Sequence, residues 1–330
     1  MQILKEGKLT IEQLKELVFE YTEDFRDEVL SHPYIGQDCA IIDSGKQMIS
    51  VSSDPITAAK EDIGKLAVEI NLNDIAASGA DPFAITVVIL CPVGTTDEDI
   101  KLVMKDIYDT SREKNVQIIG GHTEVTSAVN KLVICVTALG LLSRELYNAK
   151  SKFEDGDLIY VTKDIAMEGT HIIVVEKPSI SASIFDEDDY ATLVDYSKNL
   201  SVIEDAKIAR QYGCIMHDIT EGGVLGAVWE TCEMINLGAK LEFESMPISD
   251  ATEKLCNYLE INPLRLISSG SLLIIAKKSA EKELELAYRK AGIKLSKVGE
   301  LQKQKSVSMK KNSILSEISP PESDELYKII

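Results

Sequence analysis

Three aspartates carry the most legible chemistry: Asp38 in Gly36-Gln37-Asp38-Cys39-Ala40, Asp54 in Ser53-Asp54-Pro55, and Asp74 in Asn73-Asp74-Ile75-Ala76. Each ends or interrupts an apolar run, where a core-packing role is excluded. Carboxylates brought together repel and raise one another's pKa unless a cation sits among them. Magnesium, a hard ion that takes oxygen ligands and shares them with phosphates, is the natural occupant. Asp54 before Pro55 reads equally as a helix N-cap with proline at the first helical position, and Asp38 near Gly36 as a turn residue. Asp74 is harder to explain by structure alone. It interrupts an apolar helix carrying Ile63, Leu66, Ala67, Ile70, Ile75 and Ala76, so it must face either water or an ion. Asn71 lies one turn before it on the same face.

Two glycine pairs add a second kind of chemistry. Gly120-Gly121-His122-Thr123-Glu124 follows the strand-like Val116 to Ile119, and paired glycines there would let backbone amides approach an anion. His122 reads equally as a satisfied loop histidine. Asp218-Ile219-Thr220-Glu221 has the form of a capping box for a helix starting near Gly222, and Gly222-Gly223 at that start would leave amides and the positive helix end open to phosphate. The two readings are compatible. The sequence has no G-x-x-x-x-G-K-[ST], no strand-led G-x-G-x-x-G, no G-x-S-x-G and no H-E-x-x-H. Its four histidines, His32, His122, His171 and His217, leave little room for a histidine-rich metal centre.

Positioning these groups requires alternating strands and helices. Helical spacing predicts a helix from Thr10 to Tyr21 with Thr10 as N-cap and Gln13 completing a box. Strands are expected at Ala40–Asp43, Met48–Ser53, Phe83–Cys91 and Leu132–Leu142, with helices Asp62–Ser78 and Thr96–Lys114 between them. The polar, turn-forming Ser151 to Asp157 separates two halves, giving expected domains 1–152 and 153–330. The second half reads as strand Leu158–Thr162, helix Ile165–Glu176, a loop or helix approach at Phe185–Tyr190, and helix Val202–Tyr212. Strand Cys214–His217, helix Gly223–Ile235, strand Ser271–Ala276 and helix Ala280–Ala291 follow.

A length of 330 residues favours two domains, and 45% hydrophobic residues suffice for both cores. A net charge of -19 argues against nucleic acid or an anionic membrane as partner. The six cysteines form no CxxC pair and read as reduced, mostly buried thiols of a cytoplasmic protein. Cys39 stands beside the proposed metal site and is expected to be a buried thiol.

In order along the chain, these motifs resemble the ATP-binding superfamily of AIR synthase, thiamine monophosphate kinase, selenophosphate synthetase and the hydrogenase maturation protein HypE, most closely HypE and AIR synthase-related proteins. The resemblance rests on Gly36-x-Asp38-x-Ala40, Asp54-Pro-x-Thr57, Asn73 to Ala80, Gly120-Gly121-x-Thr123, Glu168-Gly169-Thr170, Asp218-x-Thr220-x-Gly222-Gly223 and Asn262-Pro263-Leu264 with Ser269-Gly270. It implies a two-domain PurM-like fold of mixed α/β (α+β) class, in which the N-terminal α/β domain pairs its sheet in a homodimer and a C-terminal α/β domain closes over ATP. It implies magnesium on Asp38, Asp54 and Asp74. Cofactor contacts would come from Asn71, Gly120, Gly121, Thr123, Glu124, Thr220, Gly222 and Gly223, and catalytic roles from Asp74, His122 and Asp218. The implied reaction phosphorylates or dehydrates a small or protein-borne substrate; the alternative is a non-catalytic nucleotide-binding or metallocentre-assembly protein.

Departures narrow the reaction. HypE carries its substrate on a C-terminal cysteine, whereas this sequence ends Leu326-Tyr327-Lys328-Ile329-Ile330 with its last cysteine at Cys256, so the HypE route is not expected. Thiamine monophosphate kinase has Asp where His122 stands. The Gly-Gly-His-Thr form is similar to selenophosphate synthetase, without that family's N-terminal cysteine or selenocysteine and glycine-rich leader. Gln37 replaces a common acid.

Overall fold

The computed structural model describes residues 9–19, 22, 26–31, 34–57, 62–149, 151–321 and 323–329. Two compact units divide them. The N-terminal unit takes in Arg26–Ser31 and Asp38–Tyr147; the other gathers the described residues of Met1–Phe25, His32–Gln37 and Asn148–Ile330. Helix α1 (Ile11–Leu17) therefore belongs with the later sequence. Thr10 caps it through the expected box with Gln13, and Lys15 lies 3.2 Å from Glu233. The expected continuation to Tyr21 falls outside the described residues.

The N-terminal unit is built on a five-stranded sheet in the order β1 (Ala40–Asp43), β2 (Met48–Ile56), β5 (Val133–Leu142), β3 (Asp81–Pro92), β4 (Gln117–Thr126). All pairings are antiparallel except β3 with β4. A parallel pair needs a crossover, which α3 (Asp97–Glu113) supplies, while α2 (Ile63–Ala77) links β2 to β3. Helix α2 is buried from Leu66 to Ala77 on every side, because strands β2, β3 and β5 contact it as well as α3. Its polar residues therefore need partners inside the protein. Gly64 lets the two helices meet: a Cβ there would lie 2.7 Å from the Val103 carbonyl oxygen. The chain leaves this unit over α4 (Arg144–Asn148).

The C-terminal unit holds β6 (Leu158–Thr162), α5 (Met167–Glu176), α6 (Pro178–Ile184), α7 (Glu187–Val194), α8 (Ile203–Ala209), β7 (Ile215–Asp218), α9 (Gly223–Ile235), β8 (Gly238–Glu242) and α10 (Asp250–Leu259). It continues through β9 (Leu272–Ala276), α11 (Glu281–Ala291), β10 (Leu295–Gln302), β11 (Val307–Lys311) and β12 (Ile314–Glu317). The sheet order is β12-β11-β8-β10-β6-β9-β7. Every residue of β6 and β9 is buried, so both faces of the sheet centre are covered. Ile159, Val161, Leu273 and Ile275 pack with α9 in one cluster; Ile173, Leu193, Leu255 and Leu326 form a second among α5, α7, α10 and the chain's last turn. The stretch expected as a loop or helix approach at Phe185–Tyr190 is the start of α7, capped by Asp186. Strands β8, β10, β11 and β12 and helix α10 escape the sequence reading because their apolar residues are sparse and interrupted by lysine and glutamate.

Candidate functional site

Within the N-terminal unit the organising feature is a polar seam between α2 and β2. Alternate residues of a strand face one side, so Ser50, Ser52 and Asp54 share a face. Asn71, Asp74 and Ser78 share one stripe of the helix by its 3.6-residue period. The two rows meet in register. The hydroxyls of Ser50 and Ser78 lie 2.8 Å apart, and Ser52 Oγ donates to Asp74 Oδ2 at 2.5 Å. The Asp54 N–H donates to Asn71 Oδ1 at 2.9 Å, and Asn71 Nδ2 returns a bond to the Asp54 carbonyl at 3.3 Å. Asp74 is 4% exposed, so a solvated role for it is excluded. Asn71 and Asp74 are both tied to β2, and the Asp54 side chain is exposed.

The helix N-cap expected for Asp54-Pro55 does not form. Both residues lie in β2, opposite Val136 and Cys135 of β5. Strand β1 accompanies β2 only from Met48 to Val51, so Pro55, which has no N–H, stands where one side of the strand is unpaired. Asp38 lies in the irregular approach to β1 and is half-buried. Among the described residues, Asp38, Asp54 and Asp74 do not come within 4.8 Å of one another as a set of three ligands.

Gly120 to Glu124 is also placed differently from the loop that the glycine pair suggests. The five residues lie inside β4, paired with Thr86 to Leu90 of β3. Gly121 is required by packing: at φ 151° its missing Cβ would sit 1.8 Å from the Val87 carbonyl oxygen. Gly120 has open space around it. His122 and Glu124 are exposed, with Nε2 and Oε2 3.4 Å apart, and Thr123 is exposed beside them.

In the C-terminal unit Asp218 ends β7 and is 1% exposed, with the His217 ring 3.9 Å away. His217 Nδ1 lies 2.7 Å from the Asp218 carbonyl, and its Nε2 lies 3.2 Å from Glu230. The capping box expected from Asp218 to Glu221 is absent. Gly222, which has no side chain to cap with, is the N-cap of α9 in the left-handed conformation. Its N–H donates to Asp324 Oδ2 at 2.7 Å. Gly223, at φ 64°, is needed because a Cβ would lie 2.5 Å from the Leu264 carbonyl oxygen. The helix start is thus already served by a carboxylate, as its unpaired amides and positive end favour.

Asp324 also accepts from the N–H groups of Ile267 and Leu326, at 3.2 and 2.8 Å. Burial pushes its carboxyl up to about 6 against the pull of those bonds. Glu168, in the first turn of α5, accepts from the Ser269 N–H at 3.1 Å, and burial, opposed by Ser269 and aided by the charges of Asp324 and Asp218, raises it to about 7. Neither residue was a sequence candidate. Glu168-Gly169-Thr170 and Ser269-Gly270 offered a signal for the first; Asp324 had none, since it caps a helix 102 residues earlier.

The description "AIR synthase related protein, N-terminal domain" matches residues 36–142, and the corresponding C-terminal domain matches 154–312. A Methanocaldococcus jannaschii protein named for hydrogenase expression and formation is 30% identical over 70% of this chain and 68% of its own. The chain belongs to the AIR synthase related family. The carbamoyl dehydratase HypE of Escherichia coli is 26% identical over 78% of this chain and 75% of its own. Among solved structures, hydrogenase maturation protein HypE in complex with ATP superposes with a TM-score of 0.72 at 18% identity, covering 96% of this chain and 94% of that one. AaThiL complexed with AMPPCP and TMP gives 0.74 at 16% identity over 98% and 99%. The fold is the two-domain PurM-like one. The family's N-terminal match holds the α2–β2 seam and β4; its C-terminal match holds Glu168, Asp218 to Gly223 and Ser269, and ends before Asp324.

Proposed function

We propose that this chain binds ATP with magnesium and uses it to activate a small-molecule or protein-borne substrate, by phosphoryl transfer alone or followed by dehydration. The observation that carries the reading is the α2–β2 seam, which holds the Asp74 carboxylate in a buried helix and ties that helix to the backbone of Asp54. Family membership and the nucleotides named in two of the similar structures support it. Asp38, Asp54 and Asp74 are the proposed ligands. All their donor atoms are oxygen, which suits a hard cation, and magnesium needs only one or two protein carboxylates when phosphates and water complete its shell. The bound ion would neutralise phosphate charge.

The chain's own part is orientation. Asn71 fixes the backbone of Asp54 with two bonds, and Ser52 fixes one oxygen of Asp74, so neither must be ordered when nucleotide arrives. Gly120, Gly121, Thr123, Glu124, Thr220, Gly222 and Gly223 are the proposed nucleotide contacts, with His122 and Asp218 assisting Asp74 in the chemistry. We place the protein in the cytoplasm as a homodimer, and the names of its relatives support a role in hydrogenase maturation. Calorimetric titration of ATP with and without magnesium tests the reading. Magnesium-dependent binding that is lost in Asp54→Asn supports it; no binding by the wild type overturns it, and binding without turnover of any phosphoryl acceptor leaves a nucleotide-binding module.

A further inference from the structure

A hollow of about 500 Å³ lies in the N-terminal unit where α3 ends and β4 begins. Phe83, Tyr108, Ser111, Arg112, Asn115 and Gln117 line it, and none of the residues lining it is acidic. In a chain of net charge -19, the Arg112 guanidinium is paired, among the described residues, with a phenol and with no carboxylate. It donates from Nη1 to the Tyr108 hydroxyl at 2.8 Å and lies 6.0 Å from the centre of that ring. Its fork is thus steadied by a phenol rather than by a carboxylate. Beside it, Ser111 is 2% exposed, and among the described residues its buried hydroxyl has no hydrogen-bond partner. A buried hydroxyl without a partner is costly unless a ligand completes it.

The end of a helix would ordinarily repel an anion through its open carbonyls. Here they are occupied: Lys114, Asn115 and Val116 donate their N–H groups to the carbonyls of Thr110, Arg112 and Ser111. The side-chain amides of Asn115 and Gln117 add donors, and the rings of Phe83 and Tyr108 are 38% and 50% exposed. One planar cation, a free hydroxyl and two exposed rings match one kind of ligand. A carboxylate fits the guanidinium fork, a monoanion fits its single charge, and a flat apolar body fits the rings. We propose that this hollow is a second binding site, for a small aromatic carboxylate.

The test uses the full-length protein and 4-fluorobenzoate, observed by fluorine line broadening, with 4-fluorobenzamide as its neutral counterpart. The expected result is saturable broadening of the acid, displaced by benzoate, with the amide bound about tenfold more weakly because the charge-assisted bond to Arg112 is lost. Arg112→Gln should weaken the acid by a similar factor, and Arg112→Lys, which keeps the charge without the fork, by less. Ser111→Ala should weaken it by about threefold, in line with one lost hydrogen bond. Absence of saturable broadening, equal binding of acid and amide, or full binding by a folded Arg112→Gln protein would each overturn the assignment.

Discussion

At the scale of single residues, the protein turns on carboxylates placed where burial makes them costly. Asp74 is 4% exposed and accepts a hydrogen bond from the Ser52 hydroxyl. Asp74→Asn retains an acceptor for that hydroxyl while removing the charge, so phosphoryl-transfer turnover is expected to fall by about a hundredfold or more with the melting temperature little changed. Full turnover in that variant would remove Asp74 from the proposed chemistry. Glu168 and Asp324 make a different prediction. Their folded values of about 7 and about 6 lie above the ordinary 4.5 and 3.8, so the folded chain holds these protons more tightly than the unfolded one. Stability from the pair is therefore greatest below the ordinary carboxylate range. It falls as pH rises through about 6 and about 7, the reverse of the usual carboxylate, by on the order of 3 kcal/mol each. Urea midpoints compared near pH 5.5 and pH 7.5 should drop less in Glu168→Gln than in the wild type; an identical drop in the two proteins would contradict the raised value.

Elements owe their positions to a few close backbone approaches. Gly121 lies against the carbonyl of Val87 across the parallel β3–β4 pair, and Gly223 lies against Leu264 at the start of α9. Alanine at either site forces backbone apart, and Gly223 adds left-handed strain, so each substitution should cost more than about 2 kcal/mol by denaturant unfolding. Gly120→Ala, with open space around it, serves as the control and should cost well under 1 kcal/mol by the same measure. The same contacts explain what the sequence hid. A glycine pair after Val116 to Ile119 looks like the end of a strand, yet β4 runs on because β3 supplies the partner that forbids a side chain at Gly121. The capping box at Asp218 to Glu221 looked complete by spacing, yet Asp324 reached the Gly222 amide from the far end of the chain. Thr10 and Gln13, whose box is local, were legible at once.

For the whole molecule, net charge -19 disfavours polyanionic partners, so the phosphates of a nucleotide must be met by a cation or by amides. The proposed homodimer has a physical motive in the N-terminal sheet. Among the described residues strand β4 pairs only with β3, and Ile119 and Val125 on it are 57% and 53% exposed. An open edge with apolar residues is a liability unless something covers it. Ile119→Lys should shift light-scattering mass from dimer to monomer while costing less than about 0.5 kcal/mol of monomer stability, as an exposed substitution does. A wild type that is monomeric at every concentration would remove the dimer from the proposal.

By itself the sequence determined the alternation of strands and helices, the start of α1 and the span of α9, and the oddity of Asp74 inside an apolar helix. These follow from side-chain periodicity and from contacts within one turn, which neighbouring residues specify on their own. Only the tertiary structure decided what answers Asp74, which strand contains Gly121, and which carboxylate serves the helix at Gly222. Each of those depends on the register of elements far apart in the chain. Burial of a polar group says that a partner must exist, and only the packed fold says which residue it is.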